Sequence, residues 1–169
     1  PMFERDGGRQ LKKWIDEGRL GKIYSFRGEY FHTGYQNRNR PLTWRMIKDK
    51  SGGGALVDMG VHVLDLIRFL LGEFESVNGK TQTFIGERPF PDNSGQTGKV
   101  TVDDAAWLTA QLQGGATGTV EISRFATGSL DDLKISAFGE KGAFRFDLMD
   151  VNYLYWYDKG QGWHRVETL

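Results

Sequence analysis

The sequence predicts an α+β domain, a largely antiparallel open-faced sheet with helices packed on one of its faces. Two observations carry that prediction. Helical periodicity is confined to the first 72 residues, whereas six or seven strand-like segments divided by tight-turn signals lie mostly after them. A third observation concerns function: residues 51–72, SGGGALVDMGVHVLDLIRFLLG, join three glycines, an apolar stripe and a narrow polar one. At 169 residues the chain is read as one domain, 1–169, long enough to bury about 70% of its unfolded surface.

Residues 4–17 read as a first helix with Leu11, Trp14 and Ile15 on its apolar side, weakened at the start by Gly7 and Gly8 and closed by Gly18. Residues 22–33, KIYSFRGEYFHT, alternate as a half-buried strand. Residues 34–50 show little periodicity and read as a polar loop containing Trp44, Arg45 and the Arg38–Arg40 pair. The helix at 51–72 follows, with Leu56, Met59, Val63, Ile67, Leu70 and Leu71 facing a core. Strands are expected at 75–87, 100–113, 117–126, 131–138, 143–148, 152–157 and 163–166. A loop at 88–98 and turns at Gly114-Gly115 and 139–142 divide them.

Composition excludes several classes. Lysine plus arginine equals aspartate plus glutamate at 22 each, so no charge excess favours nucleic acid or an acidic membrane. There is no cysteine, which removes disulfides, thiol nucleophiles and thiolate metal sites. The longest apolar run, 61–71, is interrupted by His62, Asp65 and Arg68 and falls short of the ~20 residues that span a bilayer. Cytoplasm is the default location. The chain opens on Pro1 and reads as a piece of something longer.

On a helix Asp58, His62 and Asp65 fall within roughly 60° of one another. Asp58 and His62 are spaced to hydrogen-bond across one turn, and a carboxylate beside an imidazole makes a general base for a hydroxyl proton. The plain alternative is a solvent-facing helix pair. Val61 and Phe69 beside the stripe argue that it is covered by strands or by another domain. Asp58 and Asp65 stand about 10 Å apart along the axis, too far to share a metal ion, and no metal is expected. Gly52–Gly54 lack a preceding strand and a dinucleotide or phosphate-loop motif, so close backbone approach is the reading there. Arg124, in VEISRF, shares a face with Val120 and Ile122 and is either bound to a ligand or paired locally with Glu121, Asp131 or Asp132.

GGGALVDMGVHVLDLIRFLLG resembles the signature helix of the Gfo/Idh/MocA dehydrogenases, GG-x3-D-x3-H-x2-D. LKKWIDEGRLGKIYSFRGEY, Trp44-Arg45, VTVDD, GATGTVEISR and GEKGAFRFD are similar to other segments of that family in the same order. The resemblance implies the C-terminal domain of an NAD(P)-dependent oxidoreductase without its N-terminal Rossmann domain. It implies His62 as the base that takes a proton from a sugar, cyclitol or polyol hydroxyl while hydride leaves for the nicotinamide. Asp58 would orient His62 or bind an adjacent hydroxyl. Asp65, Trp44, Arg45, Arg124 and His32 are the expected substrate contacts. NAD or NADP belongs to the full-length protein; none is expected on this chain, which alone should be inactive. Expected partners are the missing Rossmann domain, a carbohydrate or polyol, and further copies joined through the open sheet face, for which Tyr153, Tyr155, Trp156 and Tyr157 are candidates. The rival readings are a non-catalytic carbohydrate-binding or scaffold module of the same fold, and a metal-dependent hydrolase or isomerase.

Overall fold

The computed structural model describes residues 6–92 and 94–167. Helix α1, Asp6–Asp16, ends as its glycine predicts. Gly18 adopts φ 75°, with Gly18 N–H on the Ile15 carbonyl (2.9 Å) and Arg19 N–H on that of Trp14 (3.2 Å), a Schellman closure. Positions 4 and 5 of the expected helix lie outside the described residues. Strand β1, Ile23–Phe31, follows, and then a long segment holding a 3₁₀ turn at Trp44–Met46 and the short helix α2, Lys48–Ser51.

The helix expected over 51–72 is shorter and not uniform. Gly52, at φ 80°, closes α2, and a new helix begins with a wide π turn, Leu56–Gly60, before the α-helix α3, Val61–Leu71. Asp103 causes the break. Its carboxylate accepts from Gly54 N–H (3.1 Å) and Leu56 N–H (2.7 Å), and its carbonyl from Ala55 N–H (2.9 Å). A Cβ on Gly54 would lie 2.0 Å from that carbonyl oxygen, so close backbone approach is the reason for glycine there.

Strands β2 (Phe74–Gln82), β3 (Glu87–Pro89), β4 (Thr97–Lys99), β5 (Ala105–Leu112), β6 (Thr117–Ser123), β7 (Asp132–Gly139), β8 (Gly142–Asp147), β9 (Tyr153–Asp158) and β10 (Gly162–Glu167) complete the chain. Eight form one sheet in the order β10-β9-β8-β7-β1-β6-β5-β2. The strand expected over 75–87 stops at Gln82, and β3 and β4 pair separately across the two ends of the loop expected at 88–98. Residues 100–104 precede β5 without joining it. Every pairing is antiparallel except β1 with β6. That parallel pair brings the C-terminal ends of two central strands to the same sheet edge.

Helix α3 lies on the middle of the sheet. A Cβ on Gly28 of β1 would meet Val63 at 2.8 Å and Ile67 at 2.9 Å, and Met59, Val63, Leu66, Ile67 and Leu70 are buried against Phe26, Val120, Ile122 and Ile135. A second cluster, Tyr35, Leu42, Met46, Val100 and Val102, anchors the long loops beside α3. The opposite sheet face carries Arg27, Glu29, Lys134, Arg145 and Tyr155, and among the described residues no element covers it. Trp156, expected among the aromatics of that face, is instead fully buried against Trp14, because its register sends it to the helix side. Among the described residues no helix is long and apolar enough to cross a membrane.

Candidate functional site

The ends of β1 and β6 are stitched together beyond their ladder. His32 N–H reaches the Ser123 carbonyl (3.0 Å), Ala126 N–H that of His32 (3.2 Å), and Arg124 N–H that of Asp104 (2.9 Å). This seam places His32, Tyr30 and Arg124 beside the start of the π turn and α3.

Arg124 is the most deeply buried of these. It is 1% exposed, its guanidinium lies 4.5 Å from the Tyr35 ring centre, and Nη2 donates to Asp58 Oδ2 at 2.7 Å. The local pairing with Glu121, Asp131 or Asp132 is therefore wrong; the partner comes from 66 residues earlier, across the helix–sheet contact. Nε and Nη1 are buried with no hydrogen-bond partner among the described residues.

The expected Asp58–His62 hydrogen bond is absent among the described residues, for two physical reasons. Arg124 holds the carboxylate, and the π turn breaks the 100° spacing on which the one-turn geometry rests. His62 is exposed, and its ring stands edge-on to Tyr30 at 6.3 Å. Tyr30 donates its hydroxyl to Asp131 Oδ1 at 3.0 Å. Partial burial and that carboxylate push the Tyr30 phenol up to about 12, so it stays protonated at neutral pH. His32 is half-buried; burial first, and Arg124 second, hold its imidazole below the usual value. Its Nδ1 accepts from Gly34 N–H (2.9 Å), which assigns the proton of the neutral ring to Nε2.

A pocket of about 300 Å³ adjoins this cluster, lined by Trp44, Arg45, Ser51, Gly53, Val57, Asp58, Val61 and Arg124. Trp44 is 53% exposed and Arg45 stacks on it at 4.6 Å. Four of the expected site residues, Asp58, Trp44, Arg45 and Arg124, thus share one cavity, with His62 next to its lining residue Val61. Asp65 does not join them. It lies further along α3, in an exposed ion pair with Arg68 (3.0 Å) that Glu73 extends. Nor is the polar stripe covered by any of the described residues: Val57 and Val61 are each 53% exposed and Phe69 is 47% exposed. Among the described residues no three metal-ligating side chains converge.

Tyr30, Tyr35, Asp103 and Asp131 were not legible as site residues, since their roles arise from pairing across the fold. The VTVDD stretch was the one available hint, and it supplies Asp103. The helix start offers no free cradle for the phosphates of a nicotinamide dinucleotide. The glycine-rich helix start, the natural place for its phosphates, already directs its backbone N–H groups to the Asp103 carboxylate.

Comparison with known proteins places the chain in a family. Residues 9–145 match the family model of the GFO/IDH/MocA C-terminal domain. Levoglucosan dehydrogenase of Pseudarthrobacter phenanthrenivorans is 37% identical over 147 residues, covering 80% of this chain and 38% of that protein. An oxidoreductase domain protein from Kribbella flavida superposes with a TM-score of 0.92 at 36% identity, over 96% of this chain and 46% of that one. A levoglucosan dehydrogenase in complex with NADH and L-sorbose does so with a TM-score of 0.92 at 35% identity, over 96% and 45%. The chain spans less than half the length of these relatives. It belongs to the Gfo/Idh/MocA oxidoreductase family, as that family's C-terminal domain.

Proposed function

We propose that this chain is the substrate-binding and catalytic-base domain of a longer NAD(P)-dependent dehydrogenase that oxidises a hydroxyl of a sugar, cyclitol or related polyol. The observation that supports this best is the placement of an exposed imidazole, His62, one residue from a 300 Å³ pocket whose wall combines Asp58, Arg124 and the exposed indole of Trp44. A pyranose or cyclitol presents apolar C–H faces to an indole and hydroxyls to charged groups, which is the chemistry this wall offers. His62 takes the proton of the reacting hydroxyl, and a neutral imidazole is the usual base for that step near pH 7. Arg45 and His32 Nε2–H are donors for neighbouring hydroxyls, and Asp65 supports the helix from outside the pocket.

The cofactor, NAD or NADP, is held by a Rossmann domain outside this chain. Val57, Val61 and Phe69, exposed here, face that domain. The chain alone therefore binds neither cofactor nor substrate tightly and does not turn over. A full-length protein carrying this chain should reduce NAD(P)+ with a neutral sugar or cyclitol, while the chain alone should not. Tight sugar binding by the chain, with no turnover by the full-length protein, would instead establish a carbohydrate-binding module.

A further inference from the structure

We infer that Arg124 is a positioning residue that holds Asp58 on the pocket wall, so that this carboxylate accepts a substrate hydroxyl instead of orienting His62. The inference rests on the reading of the pocket as the sugar site, and it deepens that reading. Its first support is cost. A guanidinium that is 1% exposed and leaves Nε and Nη1 without partners is poor structural material, because buried unpaired donors destabilise a fold. A residue that breaks a folding rule at a pocket points to function. The second is direction. The single ion pair that Arg124 makes runs to Asp58, whose side chain is 56% exposed and lines the pocket, while Oδ1 carries no hydrogen bond among the described residues.

The third support is the framework that fixes the guanidinium. Tyr35 stacks on it at 4.5 Å, and the Tyr35 carbonyl is itself gripped by Arg88, also 1% exposed, whose Nη2 donates to it at 2.6 Å and whose Nη1 donates to the Asn37 carbonyl at 2.7 Å. Asp104 accepts the Arg124 backbone N–H, and its carboxylate accepts from Phe84 and Ile85 N–H (2.7 and 3.3 Å). Arg124 is thus held at its guanidinium by Tyr35 and at its backbone by Asp104, and Asp58 is where that order meets the pocket.

The test is a double-mutant cycle in a full-length protein carrying this chain, read by steady-state kinetics on a panel of neutral sugars and polyols. Asp58→Asn should raise KM by about ten- to a hundredfold and leave kcat within about threefold. Arg124→Met should raise KM similarly, yet add less than about twofold in the Asp58→Asn background. Arg124→Lys, which keeps the cation, should recover part of the loss, and it replaces Met in the cycle if Arg124→Met does not fold. A collapse of kcat at constant KM in Asp58→Asn overturns the inference, as do equal effects of Arg124→Met in both backgrounds. His62→Ala keeps the two claims apart. Retained turnover there sinks His62 as the base, absence of turnover by the wild type sinks the dehydrogenase reading, and the cycle sinks only the role of Arg124.

Discussion

His62 carries no hydrogen bond among the described residues; α3 carries it, and Tyr30 stands edge-on to its ring at 6.3 Å. Tyr30 is in turn held by Asp131, and this gives the pair a readable pH signature. Because the folded state keeps the phenol protonated past its ordinary value of 10, up to about 12, the stability it contributes is complete below pH 10 and lost as pH climbs to about 12. Tyr30→Phe should therefore lose less stability than wild type over that interval, measured by urea midpoints at both ends; equal losses would contradict the geometry. His32 behaves oppositely. Its lowered folded value favours the neutral ring, so its contribution is present above pH 6.5 and lost as pH falls below that. His32→Gln should flatten the acid limb of the same measurement. Residue types were legible at this scale: His62, Asp58, Trp44 and Arg45 stand in short motifs. The partner of each was not, because Arg124 reaches Asp58 across 66 positions and Tyr30 reaches Asp131 across 101.

The segment from Gly52 to Gly72 shows why an element can be legible while its interior is not. The apolar spacing of Met59, Val63, Ile67 and Leu70 is a core face, and all four are buried. The break before Ala55 and the π turn at Leu56–Gly60 have no signal in that spacing, since Asp103, from another part of the chain, imposes the start. Two substitutions test that cause. Asp103→Ala removes the side-chain cap and should cost about 1 kcal/mol of unfolding free energy. Gly54→Ala drives a methyl to 2.0 Å from the Asp103 carbonyl and should cost at least the 1–3 kcal/mol typical of overpacking, by chemical denaturation. A neutral Gly54→Ala would mean that the helix starts elsewhere. The sheet divides in the same way. Alternation and glycine turns mark the eight strands of the main sheet but not the β3–β4 pair, and the parallel register of β1 with β6 depends on α3 lying over Gly28 between them in sequence.

Over the whole molecule the two faces of the sheet divide the work. One is sealed by α1 and α3 and ends at the pocket. The other is an open ladder in which Glu29, Lys134 and Asp147 form ion pairs (3.6 and 3.9 Å) and Arg145 and Arg165 stack on Trp163 and Tyr153 (4.3 and 4.2 Å). An ordered face of charge and aromatic rings that no described element covers is suited to a second copy, and light scattering should find at least a dimer; a monodisperse monomer would count against this. The proposed chemistry, however, turns on His62. The direct measurement is NAD(P)+-dependent sugar oxidation by a full-length protein carrying this chain, wild type against His62→Ala. The prediction is a fall in kcat of about 10²–10⁴ with the melting temperature unchanged, and turnover within a few-fold of wild type would contradict it.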